Sequence, residues 1–172
     1  MNRSADYLPD NTIDDAMDRE LRNLLSTCFT KPEDYVFKTR RYFQEPYPNH
    51  WIVRDGEGVM VAHVGGHEKQ IEVDGKPFNI GGVGDVCVHP DHRGQGYVGV
   101  MLQSVHDWLA SHEFAFSVLF GDGAVYGSSG YTTVDNLCIL REGSWVPSKA
   151  MVRPLADIPW PLTEVHLIGR DF

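Results

Sequence analysis

The stretch HPDHRGQGYVG, residues 89–99, sets Arg93, Gly94, Gln95, Gly96, Val98 and Gly99 between an apolar run that reads as a strand and a periodic run that reads as a helix. A glycine-rich turn that opens a helix exposes unpaired backbone N–H groups at the positive end of the helix dipole. That arrangement can hold phosphate oxygens, and Arg93 adds charge beside it. The same residues also suit a tight strand-to-helix turn with no ligand, and the loop alone does not separate the two. Just before it, VGDVCV alternates, so that Val83, Asp85 and Cys87 share one face and Gly84, Val86 and Val88 the other; a carboxylate is thus expected beside core positions.

Two histidine pairs, His63 with His67 and His89 with His92, have spacings that raise the question of zinc. No third clustered ligand accompanies them, so they read as solvated loop histidines, and no metal is expected. Cys28, Cys87 and Cys138 lie far apart among apolar neighbours without a Cys-x-x-Cys pair, and read as reduced packing residues.

The elements around these residues follow from hydrophobic period. Residues 12–29 predict an amphipathic helix, with Thr12 and Asp15 in a capping-box pattern and Ile13, Met17, Leu21, Leu24, Leu25 and Cys28 at three- and four-residue steps. Residues 31–50, with prolines among aromatics, predict an irregular or short-helical segment. From Trp51 the period becomes two: HWIVRD, GVMVAHVGGHEKQIEV and KPFNIGGVGDVCVHP read as an antiparallel meander with turns at residues 54–58 and 73–76. Val98, Met101, Leu102, Val105, Trp108 and Leu109 then form a helical stripe ending near His112. FAFSVLF (114–120) reads as a buried strand, YTTVDNLCIL (131–140) as a further strand, and SKAMVRPL as an edge strand limited by Pro154. The string predicts an α+β domain with a mixed sheet and helices on both faces.

With 172 residues the chain is sized for a single domain, 1–172. Its net charge of −9 argues against nucleic acid as the main partner and suits a cationic small molecule, though acidity also serves solubility alone. The N-terminus lacks a secretory apolar core and no apolar run approaches the roughly 20 residues that span a bilayer. No membrane partner and a cytoplasmic location are therefore expected.

The strand, Pro90, Arg93, Gly94 and Gly96 of VCVHPDHRGQGYVGVML resemble the signature of the GNAT superfamily of acyl-CoA-dependent N-acyltransferases, with Val98 where that family usually has Gly or Ala. AVYGSSGY is similar to a second family segment, Tyr126, Gly130 and Tyr131 falling in its places. The hairpin VMVAHVGGHEKQIEVDG and the chain's ending look similar, more loosely, to the branch of aminoglycoside 2'-N-acetyltransferases and nodulation N-acyltransferases. The resemblance implies the GNAT fold, a mixed and mostly antiparallel sheet of six or seven strands, with acetyl-CoA as co-substrate. It implies that backbone groups of Val86, Cys87 and Val88 bind the pantetheine arm, and that Arg93, Gly94, Gln95, Gly96, Val98 and Gly99 cradle the pyrophosphate. Asp85 falls where many members carry a proposed general base, and Tyr126 matches the general acid for the thiolate. The implied reaction is direct acetyl transfer to a primary amine of a small molecule, an aminosugar or aminoglycoside-like acceptor among them. Tyr35, Phe43, Tyr47 and Trp51, with Asp171 and Phe172, would wall the acceptor site. A non-catalytic coenzyme A-binding module and an enzyme acetylating a protein amine are the rival readings, and a homodimer is compatible with the family.

Overall fold

The computed structural model describes residues 4–172. It contains strands β1 (Asp6–Pro9), β2 (Asn49–Arg54), β3 (Met60–Val73), β4 (Lys76–Val88), β5 (Phe116–Leu119), β6 (Thr132–Arg141), β7 (Ser144–Pro154) and β8 (Val165–Ile168). The helices are α1 (Asp15–Cys28), α2 (Tyr97–Ser111) and α3 (Gly123–Tyr126). Strands pair in the order β1-β2-β3-β4-β5-β7-β6-β8, with a further β3–β8 pairing. The β4–β5 and β6–β8 pairs are parallel, while β1–β2, β2–β3, β3–β8, β5–β7 and β6–β7 are antiparallel. The α+β class and mixed sheet agree with the sequence, but eight strands replace the expected six or seven. The unforeseen β1 and β8 are four residues each, too short for a period to declare itself.

The chain forms two compact units, one of residues up to Gly66 with Gly84–Val105, the other of His67–Val83 with His106–Phe172. In the first, Leu21, Leu24 and Leu25 of α1 pack with Phe37, Ile52, Met60 and Cys87. Helix α1 starts later than its apolar period suggests. Asp14 is the N-cap, its Oδ1 accepting from Met17 N at 2.8 Å, while Thr12 ends a short 3-10 turn and donates its hydroxyl to the Pro9 carbonyl. The capping box of Thr12 and Asp15 is thus replaced by an aspartate two residues on, which can accept from the N3 amide in the same way. Glu20 anchors the helix to the β2–β3 hairpin through both nitrogens of the Arg54 guanidinium fork (2.7 and 2.9 Å) and through Met60 N (2.9 Å). The proline-rich segment holds a 3-10 helix, Pro32–Lys38, which buries Phe37.

In the second unit Ile71, Ile80, Phe116, Val118, Leu137, Val152, Val165 and Leu167 make the core. Strand β7 is not an edge: it pairs with β5 on one side and β6 on the other, and Pro154 is tolerated because it is the last residue of the strand. The buried strand is shorter than its apolar run, Phe116–Leu119. The turn at Asp74-Gly75 carries positive φ at both residues (49° and 76°), the conformation that a two-residue hairpin needs. His63 and His67, expected in solvated loops, are buried on β3. Gly81 lets Leu109 sit directly on β4, since a Cβ there would overlap its side chain. Gly81→Ala should therefore destabilise the protein by about 1–3 kcal/mol, read as a lower urea midpoint with an unchanged slope.

Candidate functional site

The loop residues lie in the first unit. Pro90–His92 form a 3-10 turn whose His89 Nδ1 accepts from Asp91 N (3.3 Å), and α2 begins at Tyr97. Gly94 and Gly96 have φ of 73° and 81°, and a Cβ at either would meet nothing within 4 Å. Backbone conformation, not crowding, therefore demands these two glycines. Gly99 is open as well. Val100 N donates to Gly96 O (3.2 Å), which places Val98 and Gly99 in the first turn of the helix, where amides precede the regular intrahelical bonds. Val98 is half-buried and Gln95 exposed. The exposed Arg93 donates from Nε to the Val88 carbonyl (3.2 Å).

Asp85 departs from the strand regularity that the sequence suggests. Its φ is 46°, in the left-handed region, within β4. The turned peptide sends its carbonyl to His63, whose Nδ1–H donates to it at 3.0 Å. Nε2 of the same ring lies 3.0 Å from His50 Nδ1, and His50 Nε2 lies 2.9 Å from an Asp10 oxygen that Arg41 also holds. Burial, the dominant influence, lowers the pKa of His63 to about 3, so the ring is neutral and serves as a fixed donor. The Asp85 carboxylate accepts from Phe43 N (3.2 Å) and from the Tyr47 hydroxyl. Tyr47 lies over Gly65 and Gly84; a Cβ on Gly65 would come within 2.6–2.7 Å of its ring, and one on Gly84 would overlap its hydroxyl.

Asp85 lines a cavity of about 260 Å³ with Phe29, Lys31, Glu33, Asp34, Phe37 and Phe43. Burial raises its pKa from 3.8 to about 6; the charge of Asp34 adds to the rise, while the bonds from Phe43 and Tyr47 oppose it. Cys87 is buried and packs in the cluster that includes Phe37 and Phe43, and Val86 and Val88 are half-buried. The two thiols that the sequence separates meet here: a hydrogen bond from Cys87, with Arg93 adding to it, lowers the pKa of Cys28, whereas that bond and burial push Cys87 well above the ordinary thiol value. Of the expected acceptor wall only Phe43 lines this cavity. Tyr47 instead holds Asp85, Trp51 is buried in β2 against Gly66, and Tyr35 is exposed. Phe29 and Phe37 were not foreseen, because helical and loop periods do not show which aromatic rings converge. Among the described residues no group of three or more His, Cys, Asp or Glu is placed to hold a metal ion.

Tyr126 belongs to the second unit, as the last residue of α3, which Asp122 caps by accepting from Ala124 N (2.9 Å). Its ring lies edge-on to Tyr131, with centroids 6.3 Å apart, and close over Gly121, where a Cβ would come within 2.5 Å. The segment that follows is held from beneath. Arg153 donates to the Ser129 carbonyl (2.9 Å) and to His106 Nδ1 (2.6 Å), His106 Nε2–H donates to the Tyr131 hydroxyl (2.8 Å), and that hydroxyl bonds Ser117 Oγ (2.7 Å). Burial and then the Arg153 charge bring His106 down to about 4, which keeps it neutral as this donor order requires. Gly130, at φ 84°, closes the turn above Arg153. Asp171 pairs with Arg141 (2.6 and 3.0 Å), and Phe172 packs over Gly82, Phe120 and His67.

Residues 12–134, more than half of the chain, match the family model described as an acetyltransferase (GNAT) domain. The chain belongs to the GNAT acetyltransferase family. Among solved structures it is similar to the GNAT family N-acetyltransferase YhbS of Escherichia coli in complex with CoA, at 20% identity and a TM-score of 0.69 over 97% of this chain and 91% of that one. A GNAT family acetyltransferase from Brucella melitensis in complex with acetyl-CoA is 17% identical, with a TM-score of 0.57 over 74% and 82%. The ribosomal-protein-S18-alanine N-acetyltransferase of Escherichia coli is 15% identical, with a TM-score of 0.57 over 92% and 98%. No curated protein sequence matches significantly. No helix of the described residues is long and apolar enough to cross a membrane. As a GNAT acetyltransferase the chain has the fold that its loop and tyrosine segment suggested.

The raised pKa of Asp85 has a consequence for stability. The folded state keeps a proton that the unfolded chain has lost between about pH 4 and pH 6, so stability falls as pH rises through that window and stays lower above it. Asp85→Asn removes this loss. In urea unfolding at about pH 7 the variant should be more stable by on the order of 2–3 kcal/mol, and the difference should vanish near pH 3.5.

Proposed function

We propose that this GNAT acetyltransferase moves the acetyl group of acetyl-CoA to a primary amine of a small molecule, by direct transfer in a ternary complex and as one domain over residues 1–172. The observation that carries the reading is Asp85: a carboxylate with a pKa near 6, bonded on two sides, in the wall of a small cavity lined by aromatic rings. Such a group is ionised at neutral pH, yet basic enough to take a proton from an ammonium as it becomes the nucleophile. Its place in the cavity wall, rather than on open surface, gives the amine a defined approach.

The residues fit the co-substrate. The left-handed Gly94 and Gly96 turn the chain into the first turn of α2, where the amides from Gly94 to Gly99, Val98 included, suit a pyrophosphate through main-chain N–H groups. A residue that contributes only its amide needs no small side chain, so Val98 with its side chain half-buried is compatible with this role. The β4–β5 pairing runs to Val83↔Leu119, and backbone groups of Val86, Cys87 and Val88 beyond it are assigned to the pantetheine arm. Bound acetyl-CoA supplies the thioester; Asp85 takes the amine proton, and the Tyr126 hydroxyl supplies one to the departing sulfur. The buried Cys87, with its thiol pKa raised, is a poor nucleophile, which favours direct transfer. The similarity to a ribosomal-protein acetyltransferase favours a protein amine instead, but a cavity of about 260 Å³ falls below the roughly 300–1,000 Å³ of ordinary ligand pockets and suits a small acceptor.

Acetyl-CoA and CoA, but not ATP, should raise the melting temperature at concentrations well above micromolar; no shift with either CoA species ends the loop assignment. In a thiol-release assay, kcat/KM should climb with pH through about 6 as Asp85 ionises. Asp85→Asn should lower it by about 10²–10⁴-fold, and an undiminished rate removes the base role. Tyr126→Phe at full activity would remove the acid role.

A further inference from the structure

We propose that the acceptor carries a second cationic group, as a short aliphatic diamine does, and that Glu33 and Asp34 bind it while the amine to be acetylated faces Asp85. The inference rests on the amine-acceptor reading above and concerns the far side of the same cavity.

Three observations within the first unit carry it. The rings of Phe29, Phe37 and Phe43 run in sequence, with centroids 5.3 and 6.2 Å apart, and all three line the cavity. Phe29 and Phe43 are half-buried and offer a methylene chain an apolar surface and an ammonium a favourable quadrupole, while the buried Phe37 backs them. Asp85 lines the cavity together with Asp34 and Glu33, which stand on the 3-10 helix Pro32–Lys38. Asp34 is near enough for its charge to act on Asp85, so the two carboxylates belong to one electrostatic site. One oxygen of Asp34 accepts from Lys31 N (2.9 Å), which fixes the side chain, and Glu33 makes no hydrogen bond or ion pair among the described residues. Among the described residues Lys31 is the one cation on the lining. With Asp85 ionised, three carboxylates against one ammonium leave a net of two negative charges, which a dication balances and a monocation does not.

The geometry sorts acceptors by class. A monoamine satisfies Asp85 and leaves Glu33 and Asp34 uncompensated. A diamine lays its carbon chain on the rings and answers both ends. An amino-terminal peptide brings a neutral, branched backbone where the rings want a plain chain.

The test uses the full chain, acetyl-CoA and thiol release, comparing diaminobutane with butylamine at one pH. Diaminobutane is expected to have a kcat/KM about tenfold or more above butylamine, the worth of one charge-assisted contact. In the double variant Glu33→Gln and Asp34→Asn that ratio should fall toward one, with the change in KM rather than kcat. Both replacements keep size, and Asn keeps an oxygen for the Lys31 amide; because loss of the Asp34 charge also shifts Asp85 for both substrates, the ratio isolates the second cation. Equal turnover of the two amines overturns the inference and leaves the amine-acceptor reading standing, as does a ratio that survives the double variant. Faster turnover of a peptide amine than of either compound overturns it in favour of a protein acceptor. Absence of thiol release from every amine, while acetyl-CoA still raises the melting temperature, overturns the underlying reading and the inference with it.

Discussion

The left-handed backbone of Asp85 is the constraint on which the first unit's chemistry depends. A non-glycine residue at positive φ inside a strand is unfavourable and persists only when its surroundings compensate. Here the compensation is visible on both ends of the residue. His63, neutral and fully buried, takes the displaced carbonyl, and His50 and Asp10 support that ring in turn. Phe43 N and the Tyr47 hydroxyl hold the carboxylate. Tyr47 reaches it because Gly65 and Gly84 present no Cβ beneath its ring and hydroxyl. Sheet pairing, two glycines and two buried histidines thus converge on the placement of one acid.

The same placement explains why that acid is unusual. A largely buried carboxylate that shares its cavity with Phe29, Phe37 and Phe43 is denied much of its water, and two hydrogen bonds recover only part of the loss, so the proton is held to about pH 6. A fold built for stability alone would have solvated or removed the group; this one carries the penalty, and the proposed general-base role gives a moderately basic carboxylate a use there.

In the second unit the segment after Tyr126 is irregular, yet ordered by a chain of hydrogen bonds that joins Arg153, His106, Tyr131 and Ser117. The neutral His106 accepts from Arg153 at Nδ1 and donates to Tyr131 from Nε2. The resemblance of AVYGSSGY to a family segment singled out Tyr126 and Tyr131, but not this support. His106 lies in α2 beside Val105 of the apolar stripe, Ser117 is inside a run that reads as uniformly apolar, and Arg153 sits on a strand that looked like an edge.

What the sequence determined by itself was local. Hydrophobic period placed α2 and the β2–β3–β4 meander, turn chemistry placed Gly94, Gly96 and the Asp74-Gly75 hairpin, and a short motif pointed to the family, because each depends on residues a few positions apart. Tertiary structure alone decided the partners across long separations: Phe29 and Phe37 around Asp85, Cys28 against Cys87, Tyr47 on two glycines, His50 behind His63. It also decided the path of β4, where strict alternation would have left Asp85 an ordinary strand residue. A period describes a backbone that remains regular, and Asp85 stands where contacts distant in sequence accompany an irregular one.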